Sequence, residues 1–252
     1  MKNYKITIQY DGTRYKGWQV QKSTYMTIQG KIQEILKQLA GEDIEVIGSG
    51  RTDAGVHAYG QVANFHIKED FSAEEILKYL NHYLPMDIAV LSIEEVEERF
   101  HSRYHATEKT YVYRIHNSDI PNVFERKYVY DYTEHLDIER MKEAANYLVG
   151  THDFASFCGN KKMKKSTVRT IFSIEIEQLG EEIRISFTGD GFLQNMIRII
   201  TGTLIEVGSN RKEPVEVQKI LEKKDRTLAG YTAPPQGLVL KKVRYATMVS
   251  DK

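Results

Sequence analysis

Apolar residues along this chain recur at two spacings, and the points where one spacing gives way to the other restrict the possible folds more than any other feature. Tyr4, Ile6, Ile8 and Tyr10 alternate with polar neighbours at the period of a half-buried strand, which the turn signal Asp11-Gly12 ends. Ile28, Ile32, Ile35, Leu36 and Leu39 then fall on one helical stripe, closed by Gly41. Glu45-Val46-Ile47 and residues 61–67, with Val62, Ala63 and Phe65, read as two strands that bracket a glycine-rich loop. Ser72-Ala73-Glu74-Glu75 has the form of a capping box, whose helix continues through Ile76, Leu77, Leu80 and Leu84 to Pro85. Residues 88–93 return as a strand. This order of elements predicts an α+β layer in which helices cover a sheet.

The remainder repeats the theme. Tyr111, Tyr113 and Ile115 alternate on a strand, residues 138–148 predict a helix ended by Gly150, and residues 168–177 and 182–188 predict a hairpin around Leu179-Gly180. Phe192, Met196, Ile199, Ile200 and Leu204 predict a strongly apolar helix, and Pro214 opens another at its first turn. Leu238-Val239-Leu240 with Val243 supplies a last strand. No low-complexity linker marks a boundary, which is placed near residue 105: a half over 1–105 carries the glycine loop, and a second half spans 106–252.

Composition narrows the class. With 41% hydrophobic and 28% charged residues, the chain reads as an ordinary globular protein, not a disordered or fibrous one. One cysteine, Cys158, cannot form an internal disulfide, and no Cys/His spacing suits a structural zinc site, so a reducing cytoplasm fits best. The start alternates polar and apolar residues where a signal peptide needs an apolar run, and no later stretch approaches bilayer length, which speaks against membrane or secretory classes. Thirty-five basic residues balance 35 acidic ones, yet bases gather at Lys161, Lys162, Lys164, Lys165 and Arg169, and again at Lys241, Lys242 and Arg244. Such local patches permit phosphate binding, although a solvated face is the simpler reading of each.

The glycine loop is where chemistry concentrates. Gly48, Gly50 and Gly55 surround Arg51 and Asp53, letting the backbone take positive φ and approach a ligand closely. Arg51 can hydrogen-bond a phosphate or the neighbouring carboxylate, and an ionised aspartate can act as nucleophile or base. From these residues alone, the simpler reading is that Asp53 caps a turn and the glycines serve only the fold. The spacing matches neither a Walker loop nor a dinucleotide-binding loop, and Asp53 with His57 lacks a third metal ligand.

Gly50-Arg51-Thr52-Asp53-Ala54-Gly55-Val56-His57-Ala58 resembles the active-site motif of the tRNA pseudouridine synthase A family. The resemblance extends to Tyr10-Asp11-Gly12-Thr13, Gly17-Trp18-Gln19, Phe100-His101-Ser102-Arg103, residues 192–198, and Ala233-Pro234-Pro235-Gln236-Gly237-Leu238. Ser102 stands where the family often has alanine, and Val239 where an aromatic is common.

That resemblance implies two similar α/β halves forming one extended, mixed, mostly antiparallel sheet flanked by helices, with an active-site cleft between the halves and a homodimer as the working form. It implies conversion of uridine to pseudouridine at positions 38, 39 and 40 of the tRNA anticodon arm, without cofactor or metal. Asp53 then corresponds to the essential carboxylate, Arg198 to its basic partner and Tyr111 to the aromatic that stacks on the target base. A flipped-out uridine costs a few kcal/mol, and an aromatic platform recovers roughly 1 to 3 kcal/mol per base. Arg51 and His57 become candidates for holding the nucleotide, and Arg14, Lys16, Arg103, Lys109 and the lysine run from Lys161 for following the RNA backbone. Two other functions compete: a module that binds or refolds tRNA without chemistry, and an aspartate-based glycoside hydrolase, for which no second carboxylate is nominated.

Overall fold

The computed structural model describes residues 1–68, 70–160 and 163–246, so Lys161 and Lys162 of the basic run lie outside the described residues. Two compact units emerge: Met1–Thr107 together with the chain from Leu240 onward, and Glu108–Val239.

In the first unit the chain runs through β1 (Lys2–Tyr10), α1 (Ile28–Ala40), β2 (Val46–Gly48), β3 (His57–Ile67), α2 (Ala73–Tyr83) and β4 (Ile88–Val96). β1 lies between β3 and β4 and is antiparallel to both, with Ile6 opposite Ala63 on one side and Ile93 on the other. β2 pairs with β3 through Val46 opposite Phe65. The last strand, β10 (Leu238–Tyr245), returns beside β3. Ile6, Ile8, Ile32, Leu36, Phe65, Ile76 and Leu80 are fully buried, as the period-two and helical stripes require.

Capping residues set where the helices begin and end. Thr27 Oγ1 accepts from the Gly30 amide at 3.2 Å, and Gly41 ends α1 at φ 71°, a conformation that glycine adopts without steric cost. Ser72 and Glu75 form the expected reciprocal capping box.

The second unit contains most of β5 (Ala106–Asn117), then β6 (Tyr130–Tyr132), α3 (Ile138–Asn146), β7 (Gly150–Asp153), β8 (Val168–Leu179), β9 (Glu182–Gly189), α4 (Met196–Gly208) and α5 (Glu216–Lys223). β9 is antiparallel to both β5 and β8, β7 adds antiparallel to β8, and the short β6 runs parallel to β5. The β8–β9 hairpin turns where expected, at Gly180 with φ 64°. Both units are therefore α+β with mostly antiparallel strands.

Two local expectations need correcting. Phe192 is not on α4, because Asn195 takes a left-handed conformation at φ 58° and the helix starts only at Met196. Pro214 precedes the cap of α5: the Val217 amide donates to its carbonyl, and the helix begins at Glu216. Among the described residues no helix is long and apolar enough to cross a membrane.

Candidate active site

Asp53 is the first residue of a tight turn. The Val56 amide donates to the Asp53 carbonyl at 3.2 Å and Gly55 has φ 78°, whereas Ala54 keeps a negative φ. A four-residue turn with a left-handed third position has the form of a type II turn, which explains why glycine stands at 55. Asp53 is half-buried, its neighbour Thr52 is buried and Arg51 is exposed.

Residues 11–18 brace this turn from behind. The Trp18 amide donates to the Thr52 carbonyl at 3.0 Å, and the Gly55 amide to the Tyr15 carbonyl at 3.4 Å. Tyr10 and Thr52 share a buried hydrogen bond of 2.8 Å, and burial pushes the Tyr10 phenol well above its ordinary pKa, so it stays neutral. The packing leaves no room for side chains at two glycines. A Cβ on Gly12 would lie 2.0 Å from the Val56 carbonyl oxygen, and one on Gly48 2.6 Å from the Trp18 indole. The Ser49 hydroxyl donates to Gln61 Oε1 at 2.7 Å, and Gln61 Nε2 donates to the Gly50 carbonyl at 3.2 Å, anchoring the other end of the loop to β3.

The other first-unit candidates take distinct environments. His57 is buried, its Nδ1 accepting from the Gly12 amide at 3.0 Å and lying 3.2 Å from Asp11 Oδ1, which marks it as part of the loop's support. Arg51 makes no side-chain hydrogen bond or ion pair among the described residues, so of its two expected roles the carboxylate pairing is absent. Arg14 is exposed but engaged: Nε lies 2.5 Å from Asp87 Oδ2 and Nη2 3.1 Å from Oδ1, while the Tyr15 hydroxyl donates to the same carboxylate at 2.6 Å. Lys16 and Arg103 are exposed.

In the second unit, Tyr111 on β5 is only 7% exposed, and its ring meets Phe192 edge to face at 5.4 Å and 86°. Phe192 makes that contact from the segment before α4. Lys109, half-buried, stands opposite Gly189 on the same strand pair. Arg198, in the first turn of α4, donates through Nε to the Ala233 carbonyl at 2.7 Å and through Nη1 to Asn195 Oδ1 at 3.0 Å, which fixes the plane of its guanidinium. The Ala233 amide returns a bond to the Arg198 carbonyl at 3.0 Å. Among the described residues no three His, Cys, Asp or Glu side chains gather as metal ligands.

A family model described as tRNA pseudouridine synthase matches residues 6–105 and 144–246, a span that includes the Asp53 turn and Arg198. The chain belongs to this family. Three relatives named tRNA pseudouridine synthase A, with or without a copy number, align over 245 residues, 97% of this chain and all of theirs. They come from Bacillus sp. (strain KSM-64) at 51% identity, Clostridium tetani at 49% and Bacillus anthracis at 46%. A solved structure described as a Cbf5-Nop10-Gar1 complex aligns with 70% of this chain and 40% of its own at 14% identity and a TM-score of 0.32, a remote likeness.

Within this synthase, two supporting residues escaped sequence reasoning. Tyr113, which shares a strand face with Tyr111, is fully buried and donates its hydroxyl to the Pro234 carbonyl at 2.7 Å; burial pushes its pKa far up. Together with Arg198 it pins the Ala233-Pro234 segment, and a Cβ on Gly237 would strike the Tyr113 ring at 2.8 Å. Asp87 likewise ties Arg14 and Tyr15 into the base of the Asp53 support. Periodicity placed Tyr113 on a buried strand face but could not show the partner of its hydroxyl, and Asp87, just before β4, carries no periodic signal at all.

Proposed function

We propose that this chain isomerises uridine to pseudouridine at positions 38, 39 and/or 40 in the anticodon arm of tRNA, with Asp53 as nucleophile. The observation that carries this reading is the Asp53 turn: a half-buried aspartate as the first residue of a turn braced by residues 11–18 and Gln61, in a chain whose family is named for the reaction.

The carboxylate attacks the target ribose as the bond between C1′ and N1 breaks, and the electron pair leaves with the uracil. The base turns, C5 forms the new bond to C1′, and the carboxylate departs. C5 then loses its proton while N1 gains one, so substrate and product have the same atoms and no electrons are transferred. Tyr111 supplies the aromatic face that receives the flipped base and assists removal of the C5 proton. Arg198, its guanidinium plane fixed by Ala233 and Asn195, supplies the positive charge that keeps the carboxylate ionised. Arg51 and His57 hold the nucleotide or its loop, and Lys16, Arg103 and Lys109 follow the RNA backbone, with Arg14 joining them if phosphate displaces Asp87. The working form is a homodimer, which light scattering on the purified chain checks.

Asp53→Asn removes the charge and keeps the shape. Tritium release from tRNA labelled at uridine C5 is expected to fall below detection, with the melting temperature and tRNA affinity close to wild type. Turnover retained in this variant, or tRNA binding by wild type without any isomerised base, overturns the proposal.

A further inference from the structure

Residues 99–105 form a loop whose backbone is fixed from inside the first unit. Asn3 Nδ2 donates to the Phe100 carbonyl at 2.9 Å, the Ser102 amide donates to Asn64 Oδ1 at 2.9 Å, and Asn64 Nδ2 donates to Asn3 Oδ1 at 3.1 Å. The Ser102 hydroxyl donates to the Ile47 carbonyl, and the Ser102 carbonyl accepts from the Tyr245 hydroxyl at 2.7 Å. Asn3, Asn64 and Ser102 are all buried, so each bond broken would strand a polar group away from water. A surface loop with so much buried anchoring holds one shape.

What this loop turns outward is of another kind. His101 Nδ1 accepts from the Arg103 and Tyr104 amides at 3.2 and 3.3 Å, closing the loop onto its imidazole, and burial lowers the His101 pKa so that the ring is neutral at pH 7. The Tyr104 ring lies against that imidazole with centroids 4.1 Å apart and planes 32° from parallel, yet Tyr104 is 77% exposed. Arg99 and Arg103 are also exposed, and among the described residues neither guanidinium makes a hydrogen bond or ion pair. The adjacent Glu97 and Glu98 are exposed as well and weaken the patch as a general polyanion surface. An open aromatic face braced by a neutral ring and flanked by uncommitted guanidiniums has the chemistry of a base-stacking site.

We propose that Tyr104, braced by His101, is a stacking platform for an unpaired nucleobase of the RNA substrate, with Arg103 on the adjoining phosphate. This rests on the reading above that the chain acts on tRNA. Tyr104 belongs to the first unit, whereas Tyr111 lies on β5 in the second.

The test uses Tyr104→Ala, Tyr104→Leu and Tyr104→Phe in the full chain, with a tRNA transcript as probe. Removing the ring is expected to raise both Kd and KM for tRNA about fivefold to 150-fold, the factor matching roughly 1 to 3 kcal/mol of stacking per base. The loss should fall on KM more than kcat and leave the salt dependence of binding unchanged, because stacking releases no counterions. Tyr104→Phe should bind like wild type, and Arg103→Gln should lower the salt slope by about one. Wild-type affinity in the Ala and Leu variants refutes the platform and leaves the tRNA assignment intact. An equal loss in the Phe variant assigns the contact to the hydroxyl and also refutes it. A wild-type chain that binds no tRNA overturns both.

Discussion

Replacing Gly12 by alanine tests whether the Asp53 turn depends on its packing against residues 11–18. The new Cβ would stand 2.0 Å from the Val56 carbonyl oxygen and 2.6 Å from its carbon, both backbone atoms, so no side chain can rotate aside. Reaching ordinary contact, about 3.4 Å, requires one strand of backbone to move by more than 1 Å. Val56 closes the turn that carries Asp53, so the shift passes into the Asp53 carboxylate. Misplacement by about 1 Å costs on the order of 100-fold in rate, and overpacking costs about 1–3 kcal/mol of stability. In a chain of this size that corresponds to a fall in Tm of roughly 2–12 °C. The assay is tritium release under single-turnover conditions at a temperature where circular dichroism shows the variant folded. Gly41→Ala is the control: φ 71° makes it cost about 1–2 kcal/mol, but nothing lies within 4 Å of the new Cβ and turnover should be unaffected. A Gly12→Ala enzyme with wild-type turnover and an unchanged Tm refutes the claim that interlocked backbone positions Asp53.

Further outcomes follow from charges and buried hydroxyls. Arg114, and after it Arg184, hold the Glu182 carboxyl down to about 2, so its contribution to stability is full above the ordinary value of 4.5 and is lost as pH falls from 4.5 toward 2. Urea melts should show Glu182→Gln less stable at pH 7, with the gap from wild type closing over that window; a constant gap contradicts it. Burial, aided by the hydrogen bond to Asp87, pushes Tyr15 up to about 12, so its contribution is full below pH 10 and lost as pH rises from 10 to about 12. Tyr15→Phe should flatten the alkaline part of the stability curve measured by urea melts. Tyr113→Phe strands the Pro234 carbonyl, and chemical denaturation should show a loss of about 1–3 kcal/mol.

Strands and helices were legible wherever burial is one-sided, because a period of two or of 3.6 then survives in the sequence: β1, α1 and α2 with its capping box all lie where the pattern placed them. The pattern failed at Phe192, whose apolarity serves a ring contact with Tyr111 instead of a helix face. The Asp53 turn was legible as a loop but not as a braced one, since Gly12 and Gly17 owe their identity to backbone atoms roughly forty residues away in sequence. Asn3 and Asn64, which sit in strand interiors as buried amides, look in sequence like residues that weaken a strand. Their hydrogen bonds to each other and to the loop at Phe100 and Ser102 make them fit.

Most of β10 belongs to the first unit, yet it is the last strand among the described residues. On the ribosome, the stretch of β3 just after the Asp53 turn, where Gly60 lies against Lys241, emerges long before its neighbour does. At roughly 5–20 residues per second, the intervening second unit takes on the order of ten seconds to synthesise. Throughout that interval part of a largely apolar strand edge stays open to pairing with other nascent chains. Yield in the cell should therefore depend on how fast residues 240–245 are delivered, which makes translation speed and chaperone supply late in the message determinants of how much active protein accumulates.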